Sequence, residues 1–296
     1  MNKTLYIINP AGNGGAGIRV WDTFKNLWNQ SIDEKDVIFT ERPLHAVEIA
    51  SSVKEYDIIA AVGGDGTVNE VMEGVYKNIS KPCLAIIPAG TGNDIGRSVG
   101  IASVEDAVRA LKEGQAKKFD LILSESEIGE KYSLLHTNFG FSGTRRTKAW
   151  IKKMFGPTIA YYWATFLEIL LFRPWDMTLE WDDEKFSGKV TILLIANVEK
   201  SAGGSMVIGP GASPTDGKLT VTIVPFKSKY DCLVRKFPKT PIGEIVKEED
   251  VLFFQTDKIS IVSNPPTELD IDGDIHSKTP ATVRILPRSV DIISPL

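Results

Sequence analysis

Residues 57–71 read DIIAAVGGDGTVNEV. Residues 58–62 are an apolar run of strand type, and Gly63 and Gly64 follow directly. Asp65, Gly66 and Thr67 come next, and the spacing predicts a helix beginning near Asn69. Three glycines around one acid, set between a strand and a helix, allow backbone to approach a bulky anion. Amides at a helix N-terminus suit phosphate, and glycine lacks the Cβ that would block close approach. A phosphate cradle alone has no use for a carboxylate. Asp65 therefore implies a metal ion or a transferring proton in the same place, and the stretch reads as a site for nucleotide phosphate with Mg²⁺.

Around this stretch the first 124 residues alternate strands and helices. Strands are expected at 5–9, 37–40, 58–62, 84–88 and 119–123, with helices at 18–28, 45–53, 68–76 and 104–111. That alternation implies a doubly wound parallel α/β sheet. After Ser124 the rhythm changes to short strands separated by turn residues, at 132–139, 177–181, 190–196, 219–224, 258–262, 268–271 and 282–286. The second half is expected to be an antiparallel β-sandwich with a helical insertion at 144–172, and 289–293 to return to the first domain. The expected layout is an α/β nucleotide-binding domain (1–124 and 287–296), a β-sandwich domain (125–286) and an active-site cleft between them.

Composition narrows the class. With 296 residues the chain has ample core for two domains, and its 43% hydrophobic and 24% charged content is that of a globular protein. A net charge of −4 argues against a general nucleic-acid binder. Cys83 and Cys232 are too few and too far apart for a disulfide framework or a zinc site, which favours a reduced, cytoplasmic setting. The opening MNKTLYIINP reads as a first strand rather than a signal peptide. The longest apolar run, 159–172, carries Glu168 and falls short of a membrane span.

Two further loops belong with the first. Gly12-x-Gly14-x-x-Gly17 has dinucleotide-binding spacing, with Glu41 near the end of the second strand, although Asn9, Pro10 and Ala11 intervene before the glycines. Residues 88–94, PAGTGND, follow the fourth strand. Carboxyl ends of parallel strands share one sheet edge, where such folds bind ligands. Three glycine-rich loops there exceed what turns require. Far downstream, 269–274 read LDIDGD, which sets Asp270 and Asp272 on one face of a short strand and Asp274 beyond a glycine turn. A phosphoryl acceptor needs a carboxylate within reach of its hydroxyl, whereas the bland reading is a solvent-facing hairpin.

VGGDGTVNEV, PAGTGND, NPAGNGG and LDIDGD together resemble the diacylglycerol kinase-like lipid kinases, over nearly the whole chain. GGDGT alone would also fit NAD kinases and, more distantly, phosphofructokinases; the GTGND loop and LDIDGD tip the choice toward lipid kinases. The resemblance implies that Asn9, Pro10, Ala11, Thr40, Gly64, Asp65, Gly66, Thr67, Val68, Asn69, Glu70 and Thr91 hold ATP. It makes Asp65 the acid linked to the catalytic Mg²⁺, Asp120 (in KKFDL) a supporting acid, and Asp272 the base that takes the acceptor's proton. It also implies a structural Mg²⁺ in the loop 209–218, on the Asp216 carboxylate and the carbonyls of Ser213 and Lys218, with Thr215 where relatives often have Asp.

The implied activity is ATP- and Mg²⁺-dependent transfer of a phosphate to a lipid hydroxyl, diacylglycerol first among candidates. A soluble NAD kinase-like enzyme and a non-catalytic nucleotide or lipid sensor are the other classes. The lipid would be met at the inner face of the membrane. Five basic residues in 145–153 and the aromatics Phe155, Tyr161, Tyr162, Trp163, Phe166, Phe172 and Trp175 suit either membrane docking or a core helix. Strand edges in the second domain could pair two copies into a homodimer. His45, His136 and His276 are too scattered for a metal cluster and read as structural or solvent-facing, with His45 near the second helix start.

Overall fold

The computed structural model describes residues 3–139 and 174–295. In chain order its first half contains β1 (Thr4–Ile8), α1 (Gly12–Trp28), β2 (Val37–Phe39), α2 (His45–Ser52), β3 (Ile58–Gly63), α3 (Asp65–Lys77), β4 (Cys83–Pro88), α4 (Asp94–Ser98) and α5 (Val104–Glu113). The strands β2, β1, β3 and β4 are parallel neighbours in that order. Every residue of β3 is buried, as a central strand covered on both faces requires. Tyr6, Trp21 and Phe24 pack α1 on one face. On the other, Gly74 lets α3 lie close to α2: a Cβ there would stand 2.5 Å from that of Ala50.

The second half contains β5 (Gln115–Ser126), β6 (Gly129–Ser133), β7 (His136–Phe139), β8 (Trp175–Trp181), β9 (Glu184–Ala196), β10 (Lys200–Ser201), β11 (Met206–Val207) and β12 (Leu219–Pro225). After a run of short helical turns beginning at Lys229 come β13 (Leu252–Thr256), β14 (Lys258–Asn264), β15 (Glu268–Ile271), β16 (Asp274–Lys278) and β17 (Ala281–Ser294). These strands pair antiparallel among themselves, and β10 and β11 form a small separate hairpin. The segment 145–175, read above as basic and aromatic, lies outside the described residues except for Pro174 and Trp175.

The two halves share a strand. β17 pairs antiparallel with β5 along both their lengths, then sets Ile292 beside Leu84 of β4 in parallel. The expected separate strands 282–286 and 289–293 are thus one element, with its register shifting between Leu286 and Val290. Each half keeps its own buried core. One is built around Ile7, Ile59, Val71 and Ile87, and the other around Leu179, Leu193, Val221 and Ile261.

Candidate active site

The parallel strands end in step: Ile8 lies opposite Val62, and Gly63 opposite Pro88. The residues that follow, Asn9, Gly64 and Ala89, therefore leave the sheet side by side. Asn9 N donates to Val62 O at 3.1 Å and Ala89 N to Gly63 O at 2.8 Å. The Asn9 side chain ties two loops together. Its Oδ1 accepts from the amides of Ala11 and Gly12, both at 3.1 Å, and its Nδ2 donates to Thr67 Oγ1 at 3.0 Å. Pro10 and Ala11 form the turn beneath it, and Thr40 N donates to Ile8 O from the end of β2.

Two glycines have no substitute here. A Cβ on Gly90 would stand 2.8 Å from the Gly64 α-carbon, so the second and third loops touch backbone to backbone. A Cβ on Gly17 would stand 2.1 Å from Asn9 O, so α1 packs onto the first loop only through glycine. Within α1 the residues Asn13, Gly14 and Gly15 have left-handed backbone, and regular helix follows them, close to the expected start at Ile18. The third loop closes on itself: Gly90 N donates to Asn93 Oδ1 at 2.7 Å and Asn93 Nδ2 returns to Gly90 O. Gly66 and Thr91 are exposed on this edge, Thr67, Val68 and Asn69 are buried, and Glu70 is half-buried.

Asp65 is the first residue of α3, four positions earlier than the expected helix start near Asn69. Gly64 in extended backbone is the N-cap, so the whole of DGTVNEV is helical and its first amides face the loop edge. Asp65 Oδ1 accepts from Ile95 N at 3.0 Å, which makes it the side-chain cap of α4. Its other oxygen and that of Asp94 lie against Gly92, at 3.4 and 3.5 Å from where a Cβ would stand. Burial raises the Asp65 carboxyl above its ordinary range, against the amides of Ile95, Asp94 and Asn93 that lower it, and the Asp94 charge adds to the rise. Two carboxylates sharing a partly buried corner are the donor chemistry of a hard divalent cation. Asp94 belongs to the quoted GTGND loop, but its role was not read from sequence.

Asp272 reaches α3 from the second half, at Asn69. It lies just past β15, at φ 50° in the turn to β16, rather than on the strand face expected for it. Its carboxylate accepts three N–H groups: Asn69 Nδ2 at 2.8 Å, His136 N at 2.8 Å and Leu134 N at 3.3 Å. Burial raises its pKa all the same. Asn69, expected to hold nucleotide, donates its amide nitrogen to Asp272, expected to be the base. Its own Oδ1 is buried without a partner, a polar atom left for a group the polypeptide does not supply.

Asp120, expected as a supporting acid, is held by backbone amides of the second half. It is fully buried, its oxygens accept from Gly217 N and Arg288 N at 2.7 Å each, and its amide donates to Pro214 O. Asp120 is absent from the groups that bond to or charge-couple with Asp65. It clamps the 209–218 loop and the bend in β17 to β5. In that loop Asp216 Oδ1 accepts from Lys218 N at 2.9 Å, and Asp216 N donates to Ser213 O. No group of three or more His, Cys, Asp or Glu residues able to hold a metal occurs among the described residues. A cation at Ser213, Asp216 and Lys218 would rest on one carboxylate.

His136 was set aside in the sequence, yet its ring lies within 3.5 Å of Ser201 Oγ, and Ser201 donates to Asp94 Oδ2 at 3.1 Å. His45 Nδ1 accepts from Glu41 N at the start of α2, a structural use. A cavity of about 620 Å³ opens beside Asp94, lined by Arg97, Lys200, Gly203 and Pro214. A larger one, about 690 Å³, lies at the opposite strand ends by Lys3, Tyr6 and Trp28 and touches none of these residues.

Comparison with known proteins decides what this edge belongs to. Residues 3–124 match the family described as the diacylglycerol kinase catalytic domain, and residues 139–294 match the YegS C-terminal NAD kinase beta sandwich-like domain. A diacylglycerol kinase of Staphylococcus haemolyticus is 30% identical over 248 residues, 82% of this chain and 72% of that protein. The chain belongs to the diacylglycerol kinase family of lipid kinases. A diacylglycerol kinase of Staphylococcus saprophyticus is also 30% identical, over 84% of this chain and 80% of its own. A crystal structure of a putative diacylglycerol kinase from Bacillus anthracis superposes with a TM-score of 0.74 at 20% identity, covering 99% of this chain and 97% of its own. That likeness gives the fold: a parallel α/β sheet joined to a β-sandwich, as the alternation of strands and helices implied. As a lipid kinase the enzyme takes ATP as co-substrate. No helix among the described residues of the kinase is long and apolar enough to cross a membrane.

Proposed function

We propose that this lipid kinase transfers the γ-phosphate of Mg²⁺-bound ATP to the hydroxyl of diacylglycerol, giving phosphatidic acid. The observation that carries the reading is the 2.8 Å hydrogen bond from Asn69 to Asp272. It joins the helix that begins at the GGDGT loop to a carboxylate of the second half. The relatives named diacylglycerol kinase support the choice of lipid over a soluble nucleotide acceptor.

In this reading the loops at Asn9, Gly64 and Gly90 hold the phosphates on backbone amides. Asp65 and Asp94 would hold Mg²⁺, directly or through water, and the ion would supply neutralisation of the nucleotide's phosphate charge. The acceptor hydroxyl gives its proton to Asp272 Oδ1 or Oδ2 as its oxygen forms the new bond to phosphorus and the bond to ADP breaks. Asn69, Leu134 and His136 fix the direction in which Asp272 presents its lone pairs. Positioning and charge neutralisation carry the rate, as phosphoryl transfer requires. The lipid would be reached at a membrane surface. The deciding experiment is transfer of labelled phosphate from ATP into vesicles containing diacylglycerol, phosphatidylglycerol or a long-chain base. Phosphatidic acid should dominate; label in soluble nucleotide alone, or in another lipid, would overturn the assignment.

A further inference from the structure

The two carboxylates of the cleft are joined by a chain of side chains that neither glycine loop nor DGD turn explains. Asp94, on the nucleotide side, accepts Gly203 N on Oδ1 at 2.7 Å and Ser201 Oγ on Oδ2 at 3.1 Å. Both donors come from the β10–β11 hairpin of the second half. Ser201 Oγ is in turn 3.5 Å from His136 Nε2, and His136 Nδ1 is 3.1 Å from Asn138 Nδ2. His136 is also bonded to Asp272 through backbone in both directions, N to Oδ1 at 2.8 Å and O from Asp272 N at 3.1 Å. Ser201 and His136 are each only 9% exposed, so water does not replace these bonds readily.

The chemistry gives this chain a direction. An amide nitrogen only donates, so His136 Nδ1 is the acceptor and a neutral ring carries its proton on Nε2. A serine hydroxyl has one proton, and that proton goes to the Asp94 carboxylate, which only accepts when ionised. Ser201 Oγ is then free to accept from His136 Nε2–H. Every donor from Asn138 through His136 and Ser201 to Asp94 points the same way.

We propose that Ser201 and His136 are positioning residues that, with the β10–β11 hairpin seated on α4, hold the nucleotide-side Asp94 in register with the acceptor-side Asp272. The proposal rests on the lipid kinase mechanism above for its catalytic consequence but not for its geometry. Neither residue touches ATP or lipid in this role.

The test uses the full chain with Ser201→Ala, Ser201→Thr, His136→Gln and the Ala/Gln double variant. Ser201→Ala and His136→Gln should each lower kcat on the order of tenfold, with KM for ATP and for lipid within about twofold of wild type. The double variant should be about as slow as the worse single one, because both changes cut the same chain. Ser201→Thr keeps the hydroxyl and should recover most of the rate. Unchanged kcat, fully multiplicative losses, or a threonine variant as slow as the alanine one would overturn the proposal. A readout independent of turnover is the ¹⁵N spectrum of the histidine rings, with His136 assigned by its loss in His136→Gln. The Nε2–H tautomer is expected, and its signal should move in Ser201→Ala; the Nδ1–H tautomer would refute the chain. If wild type phosphorylates no lipid while the tautomer is as expected, the functional reading fails and the bridge stands.

Discussion

Asn69 Nδ2 lies 2.8 Å from Asp272 Oδ2, a contact between residues 203 positions apart that joins the two halves of the molecule. The helix that begins at the GGDGT loop and the turn that carries Asp272 are thereby tied side chain to side chain. Asn69 cannot do this work as an aspartate or a leucine: it must donate to a carboxylate from a buried position.

Asp272→Asn is expected to lose about 10²–10⁴ of the phosphate transfer rate while retaining ATP binding. An asparagine at 272 has one accepting oxygen for three N–H donors and sets its own NH₂ against one of them. A stability loss of about 1–3 kcal/mol should accompany the change. Label transfer into lipid and thermal melting measure the two effects, and near-normal turnover would remove Asp272 from the role of base.

The pH dependence should show an acid limb displaced upward. Burial holds the Asp272 carboxyl above the ordinary carboxylate value of about 3.9, and the base must be ionised to accept a proton. Activity should fall as pH drops through that raised value. Stability runs the other way. The folded chain holds this proton more tightly than the unfolded one, so the Asp272 contribution is fully present below about pH 3.9 and is lost as pH rises through the folded-state value. Comparison of melting curves between wild type and Asp272→Asn across the acid range isolates it.

Asp65→Ala should affect both halves of what Asp65 does. The lost cap on Ile95 N costs about 1–2 kcal/mol of stability. The lost carboxylate should raise the Mg²⁺ concentration needed for half-maximal rate, read from a metal titration at fixed ATP. An unchanged metal requirement would leave Asp65 as a cap alone.

Asp120→Ala should separate structure from chemistry. It leaves the partly buried amides of Gly217 and Arg288 without their acceptor, and stability should fall by about 1–3 kcal/mol. The surviving folded enzyme should keep its KM for ATP, because the carboxylate takes no part at the Asp65 corner. A large rise in that KM at a temperature well below the melting point would contradict the structural role.

Gly90→Ala is a probe of loop contact. Its Cβ would fall 2.8 Å from both the Gly64 α-carbon and Asn93 Oδ1, so the second and third loops must part. ATP affinity should drop at least about tenfold with little change in melting temperature, since both loops lie at the sheet edge. Calorimetric ATP binding measures it directly.

Much of the fold was legible because the first half obeys simple periodicity. Buried strands such as IIAAVG stand out as apolar runs, and loops at their ends announce the shared edge. The start of α3 was misplaced because GGDGT reads as a loop by composition, whereas its amides are already turning into helix at Asp65. The partners of Asp120 were not legible, because an acid in KKFDL says nothing of the two amides that close on it from 97 and 168 positions away. Ser201 and His136 carried no signal at all. Their partnership exists only because β7 pairs with β9 and the hairpin after β9 folds back over α4, which no local pattern encodes.

β17 follows every other described strand in the chain and lies between β4 and β14 in the sheet. Without it the β4 edge of the first-half sheet would have no neighbour on that side, and β5 would lose its long antiparallel partner. The first half therefore does not complete its sheet as an independent module would. Expressed alone, it would expose an unpaired strand edge, the template on which chains aggregate.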